Sequence, residues 1–233
     1  ARYTSLEDET TGTKVGIGVA TGADRVFITE DPELVEPERL LPLALPRDIA
    51  YGKVQWSGKY LVNPWETNGL VELEKWPRLS GYLSQHLELL AKRHTAKNGR
   101  WHKTIDRVIE GLVDREKLYL PDFKEAIFPV RDAGETYPHH NLYWITSDKW
   151  NLRVLGGLLL SDVAGLFIEA YSVRMRGGYL RFQAQYLRRI RVPDISSIEV
   201  ETATALAHAF DHRDRQEATR FALPLYGLDS LPT

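Results

Sequence analysis

The chain has 233 residues, 43% hydrophobic and 27% charged, with no cysteine and a net charge of −2. This is material for one large domain, or for a domain with an appendage. It excludes a disulfide scaffold, a thiol nucleophile and Cys-ligated zinc or iron–sulfur centres, and no apolar run approaches the roughly 20 residues of a membrane-spanning helix.

The start lacks an initiator methionine and a signal peptide and runs into the acidic Glu7-Asp8-Glu9, which reads as a boundary inside a longer protein. Freedom from cysteine fits a reducing compartment, and the cytoplasm is the expected location. Residues 15–20 and 25–29 read as two short strands around the turn Thr21-Gly22-Ala23-Asp24. Residues 31–50 carry Pro32, Pro37, Pro42 and Pro46 among acids and read as a short helix or turn followed by loop. Tyr60-Leu61-Val62 and Gly69-Leu70-Val71 are candidate strands around Asn63-Pro64-Trp65. Between Trp76 and Arg93, leucines 79, 83, 87 and 90 recur at helical spacing, with Lys92 and Arg93 suiting the helix C-terminus.

A basic, polar stretch follows from His94 to Lys103. Residues 118–120, 127–130 and 142–145 then look like strands. Asp148 is a candidate cap for a helix running from Leu152 through Phe167, whose regularity Gly156-Gly157 puts in question. After a turn at Gly177-Gly178 comes Tyr179-Leu180-Arg181-Phe182. Residues 195–223 read as two amphipathic helices. Strands and helices mix without βαβ alternation, so the expected class is α+β, with mixed strands, packed helices and a C-terminal helical tail. Composition turns acidic and Ala-rich after Pro193, which places the expected division between a domain of residues 1–193 and a helical appendage of residues 194–233 packed on it.

Charge is unevenly distributed. Residues 1–48 hold five Lys and Arg against ten Asp and Glu, a net of −5; residues 194–233 hold three against seven, a net of −4. Residues 49–193 hold 22 against 15, a net of +7. Phosphates respond to the field within a Debye length, about 8–10 Å, so a basic centre matters more than the sum.

The strongest local signal is residues 173–193, with six arginines (174, 176, 181, 188, 189 and 191) and no acid. Gly177 and Gly178 allow a backbone to approach a partner closely. Tyr179, Phe182 and Tyr186 are interleaved aromatics, and Gln183 and Gln185 offer amides. Arginine pairs bidentately with phosphate or a guanine edge and glutamine with an adenine edge, so the composition suits DNA. A solvated basic turn with core aromatics accounts for it about as well. The second basic stretch places Lys92, Arg93, Lys97, Arg100 and Lys103 where they can line phosphates, with Trp101 available to stack, Arg107 just beyond, and an exposed loop around one buried Trp as the plain alternative.

Other patterns lead away from catalysis. Gly16-Ile17-Gly18 with Gly22 has neither the spacing nor the following helix of a nucleotide loop. His208 and His212 stand four apart beside Asp211 without a third ligand nearby, and His139-His140 reads as a turn or polar contact. No nucleophile elbow is present, and nothing completes a nuclease motif at Pro121-Asp122 and Lys124.

Four stretches in order resemble the TaqI-like C-terminal specificity domain of adenine-specific DNA methyltransferases and fused restriction–modification proteins. They are residues 16–28, GIGVATGADRVFI; Arg100-Trp101-His102-Lys103-Thr104; residues 137–143, YPHHNLY, with Asp148; and Leu159-Leu160-Ser161-Asp162 running into residues 173–193. The departure is Ser161-Asp162, where many relatives have Asn-Ser. The resemblance covers residues 15–193 and implies a reader of double-stranded DNA, linked to or associated with a methyltransferase catalytic domain. That domain would hold S-adenosylmethionine and the Asn-Pro-Pro-Tyr type motif that grips a flipped adenine. Asn63-Pro64-Trp65-Glu66 lacks the second proline and the aromatic fourth position, so it reads as a turn, and no cofactor is expected in this chain.

The expected DNA contacts are Arg174, Arg176, Arg181 and Gly177-Gly178, helped by Tyr179 and Gln183. Next come Thr21, Gly22 and Arg25 at the first turn, and Arg100, Trp101, His102 and Lys103. The competing expectation is a protein-interaction or specificity subunit with no direct DNA readout.

Overall fold

The computed structural model describes residues 3–124, 126–171, 180–181 and 183–231. Its frame is a four-stranded antiparallel sheet in the order Val130–Asp132, Lys117–Pro121, Leu142–Thr146, Lys14–Ile17. Side chains alternate across a strand, and here both faces are covered. Leu118, Leu120, Tyr143 and Ile145 enter one core, while Tyr119, Leu142 and Trp144 enter another. This accounts for the apolar run Leu142-Tyr143-Trp144-Ile145, in which every residue is buried.

The first core is closed by helices. Leu152–Leu160 is buried on nearly every side, only Arg153 being exposed. The predicted weak point at Gly156-Gly157 is a packing device: a Cβ on Gly156 would lie 2.6 Å from the Phe210 ring, and one on Gly157 would lie 2.3 Å from the Leu206 carbonyl oxygen. Those partners belong to the helix Val200–Asp211, which Arg215–Leu225 follows, so the two C-terminal helices expected from the sequence are present. The long predicted helix is two, Leu152–Leu160 and Asp162–Tyr171, broken at Ser161, whose ψ is 154°. Ser161 Oγ donates to Leu158 O at 2.6 Å and accepts from Ala164 N, closing one helix and opening the next. Asp162 Oδ1 then takes Arg215 Nε at 2.5 Å, so the residues that depart from the family pattern hold the bend. The cap of the first helix is Asn151, which accepts from Arg153 N, and not Asp148. Asp148 is drawn to the 11–13 loop by its backbone bond to Thr11 O and pairs with Arg115.

The second core lies under a smaller sheet in the order Tyr137–Pro138, Leu40–Ala44, Tyr60–Val62, Ile28–Thr29, whose first pair is parallel. Two expectations are corrected here. The proline-rich stretch taken for loop contains the strand Leu40–Ala44, tolerated because Leu43 N, not Pro42, donates to Lys59 O and because the parallel partner begins only at Leu43. The expected strand at residues 25–29 is instead a helical turn, Asp24–Phe27, leading into Ile28–Thr29. Helices Pro77–Gln85 and Leu87–Ala91 bury Leu79, Leu83 and Leu90 in the same core, with a break at His86 in place of the single predicted helix. A two-stranded ladder, Tyr3–Ser5 against Arg191–Pro193, ties the start of the chain to its later half.

The class is α+β, as expected. The first core mixes residues from both sides of Pro193, among them Val15, Leu118, Leu155, Leu206 and Ala222.

Candidate nucleic-acid interface

Two of the predicted segments meet. The turn at residues 20–25 and the stretch at residues 100–106 are bound by Ile105 N to Thr21 O at 3.2 Å, Asp106 N to Ala20 O at 3.0 Å, and Ala20 N to Asp106 Oδ2 at 2.9 Å. Arg93 joins them further. Its guanidinium donates to Thr21 O at 3.1 Å, Trp101 O at 2.8 Å and Lys103 O at 2.6 Å, and its Nε donates to Leu90 O at 3.2 Å. It also stands 5.3 Å from the Phe27 ring. Sequence reasoning offered Arg93 to phosphate; the fold uses its fork of donors to fasten a loop.

Around this junction lies an open cleft of about 650 Å³, lined by Thr21, Gly22, Asp24, Arg25, Arg93 and Ile105 among others. Gly22 has φ 71°, and a Cβ there would come within 2.7 Å of Ile105, so both backbone and space require glycine. Thr21 is fully buried; its Oγ1 donates to Asp24 and accepts from Ala23 N at 3.1 Å. Its place is inside the turn, which it shapes. Arg25 and Arg100 are exposed, Lys103 is half-buried, and among the described residues none of the three forms an ion pair. These three cations are free to meet an anion. Lys92 is already paired with Glu88 at 2.6 Å, and Arg107 donates to Glu66 O and Thr67 O.

Trp101 and His102 stand edge-on with ring centroids 5.5 Å apart, both half-buried against the second core. Burial lowers the pKa of His102 below 6.5, with the Val71 backbone and Glu74 acting weakly the other way. Thr104, fully buried, accepts from Trp65 Nε1 at 2.7 Å. Asn63 Oδ1 accepts from Trp65 N, so Asn63-Pro64-Trp65 is a turn entering the hairpin Trp65–Glu66 and Gly69–Leu70.

Within the acid-free run, Arg174, Arg176, Gly177, Gly178 and Tyr179 lie outside the described residues. Arg181 falls in the strand Leu180–Arg181, which pairs with Phe123–Lys124. Gln183 precedes the helical turn Ala184–Leu187 and accepts from Gln185 Nε2 at 2.6 Å. Arg188 donates to Val15 O and pairs with Glu7 at 3.2 Å, while Arg191 donates to Ser5 Oγ. Part of the run is thus consumed by structure. The residues that sequence reasoning missed are Ile105 and Asp106, whose only signal was their place directly after the Arg100–Thr104 stretch.

No family model matches the chain. It is 50% identical over 224 residues to the type II methyltransferase M.PaeR7I of Pseudomonas aeruginosa, covering 94% of this chain and 39% of that protein. It is 47% identical to M.XhoI of Xanthomonas vasicola, covering 95% and 41% respectively, and 45% identical to M.BstVI of Geobacillus stearothermophilus, covering 84% and 36%. The chain therefore spans about two fifths of the length of these relatives. Among solved structures, its fold is similar to the type IIL restriction–modification enzyme MmeI in complex with DNA, with TM-score 0.64 and 14% identity over 94% of this chain and 33% of that one. It is also similar to the type IIG restriction endonuclease BpuSI, with TM-score 0.54 and 13% identity over 90% and 26%. The family read from the motifs agrees with these likenesses: the chain is similar to a segment of type II methyltransferases that makes up about two fifths of their length.

Proposed function

We propose that the chain is the DNA target-recognition part of an adenine-specific methyltransferase, or of a fused restriction–modification protein. It would hold the duplex while a linked or associated catalytic domain, with S-adenosylmethionine, modifies the flipped adenine. One observation carries this reading: the 20–25 turn and the 100–106 stretch, far apart in sequence, are joined by backbone hydrogen bonds beside one cleft that Arg25 lines, and among the described residues Arg25, Arg100 and Lys103 form no ion pair. Likeness to type II methyltransferases, and to an enzyme solved with DNA, supports it. Arg25, Arg100 and Lys103 serve phosphates, Gly22 permits close approach, and Trp101 and His102 are further candidates for contact on the same stretch as Arg100 and Lys103. Arg174, Arg176, Arg181, the Gly177-Gly178 pair, Tyr179 and Gln183 are the sequence-based candidates for base readout. In the described residues no helix is long and apolar enough to cross a membrane, and a cytoplasmic location fits this role.

A second reading, an interaction module without direct DNA readout, draws on a different face. Trp150, Val154, Ile195, Ile198 and Ala207 line an apolar cleft of about 530 Å³ bordered by Val200, which is 76% exposed. Titration of duplex DNA at several salt concentrations separates the two. Target recognition gives an affinity that falls steeply with salt, and each of Arg100→Ala and Lys103→Ala lowers the log–log slope by about 0.9. Salt-indifferent binding, or none at low salt, refutes it in favour of the interaction module.

A further inference from the structure

We propose that Asp24, His139 and His140 bind a single divalent transition-metal ion, Zn2+ by preference, on the inner wall of the cleft. One ligand atom from each residue lies within 4.8 Å of the others. His139 Nε2 and Asp24 Oδ2 approach to 3.5 Å, and the two imidazole centroids are 4.1 Å apart. Donors bound to one tetrahedral Zn2+ at about 2.0–2.1 Å stand about 3.3 Å from each other, so the Asp24–His139 pair already has the required separation.

Hydrogen bonding points the same way. His139 is only 4% exposed, yet Nδ1 of its ring has no hydrogen-bond partner and Nε2 meets only Asp24, at 3.5 Å, while His140 Nδ1 has none either. Buried polar atoms left this way are uncommon and call for a ligand. The surroundings hold the three residues in place. His139 N donates to Ala44 O at 3.0 Å, His140 N to Val19 O at 3.1 Å, and Val19 N to Pro138 O at 3.0 Å. Gly18 makes that approach possible, because a Cβ there would lie 2.2 Å from His139 O. Asp24 is held through its other oxygen, Oδ1, which accepts from the buried Thr21 hydroxyl. Metal-bound carboxylates are commonly fixed by such an outer hydrogen bond.

Two imidazoles and one carboxylate form a donor set suited to Zn2+, with a fourth position left for water or a ligand oxygen. Asp24 and His140 both line the cleft, so that position faces it. An ion there joins the 21–24 turn to the end of the strand Tyr137–Pro138 and adds positive charge beside Arg25. The other histidine pair is a poorer site. His208 and His212 stack at 4.0 Å, but His212 Nδ1 is engaged with His208 O and the neighbouring Asp211 is taken by Arg153.

The test titrates Co2+ and then Zn2+ alone into the intact chelator-treated chain. One equivalent of Co2+ should give the intense visible absorption of a tetrahedral ion, and Zn2+ should displace it. His140→Ala and Asp24→Asn, chosen because neither residue is fully buried, should each weaken binding about tenfold or more while leaving the circular dichroism unchanged. His208→Ala/His212→Ala should bind as the parent does. The proposal is overturned by absence of saturable one-equivalent binding. It is equally overturned by binding that survives His140→Ala and Asp24→Asn, or that disappears in the His208/His212 double variant.

Discussion

Arg93→Ala should unfasten the loop that carries Arg100 and Lys103. The guanidinium is bonded to four backbone carbonyls, the two shortest contacts being 2.6 Å to Lys103 O and 2.8 Å to Trp101 O. A hydrogen bond from a charged donor contributes about 1.5–3 kcal/mol. Thr21 O and Leu90 O keep backbone donors, and Trp101 and Lys103 are half-buried, so only the two shortest bonds are counted, at the low end, giving a loss of about 3–4 kcal/mol. Urea unfolding measures the total. Amide exchange at Ile105 and Asp106, whose N–H groups bond Thr21 O and Ala20 O, shows where it falls. Exchange there should quicken before the central sheet opens, because local units release separately. Arg93→Lys should rescue little, since an ammonium cannot bridge three carbonyls in a fixed fork. A destabilisation under about 1 kcal/mol with unchanged exchange at residues 105 and 106 would refute the fastening role.

Three further perturbations probe other layers. Lys117 and Asp132 form a fully buried ion pair at 2.9 Å, and Asp132 also accepts from Gly134 N and Glu135 N at 2.7 and 2.9 Å. Asp132→Ala strands a buried ammonium and should cost about 3–5 kcal/mol. Lys117→Met leaves the carboxylate its other donors and should cost less; equal losses in denaturant titrations would count against this asymmetry. Burial holds the pKa of His102 below 6.5, so on acidification the unfolded chain takes up the proton first. The His102 contribution is therefore complete above about pH 6.5 and declines as pH falls below it toward the folded value. His102→Gln should flatten stability against pH in that window, and parallel profiles would show that this ring does not matter. Finally, Gly157→Ala drives a Cβ into the Leu206 carbonyl and should cost about 1–3 kcal/mol. Gly165→Ala, with nothing within 4 Å of the new atom, should be neutral or stabilising in the same thermal melts.

Legibility in the sequence followed the range of the forces involved. Residues 118–120 and 142–145, made of leucine, aromatic and one β-branched side chain, and the C-terminal amphipathic helices declared themselves, because local pattern and tertiary environment agree there. The strand Leu40–Ala44 did not, because Pro42 disfavours it locally and only its register with Tyr60–Val62 and Tyr137–Pro138 makes it possible. Nor did the turn Asp24–Phe27, whose Arg-Val-Phe-Ile-Thr sequence suits a strand but whose start is set by Thr21 and Ala23. At the cleft, the sequence named the 21–25 turn and the 100–103 stretch without revealing that the two segments are joined through Arg93, Ile105 and Asp106. The hydrogen bonds that unite them run over 72 to 86 positions of separation, beyond any motif. Arg93 shows the limit most clearly, because a cation reads the same in sequence whether it faces an anion or closes a loop.

The division of the central sheet between two cores has a consequence for how this chain tolerates change. In Leu142–Thr146, parity decides which core a side chain joins: 143 and 145 go to the helices, 142 and 144 to the smaller sheet. A single inserted residue within that strand would exchange the two sets and spoil both packings at once, whereas a two-residue insertion would restore the alternation a step further on. The turns at either end obey no such count. Length variation among homologues should therefore spare this strand, which should act as a ruler whose graduations cannot be moved by one.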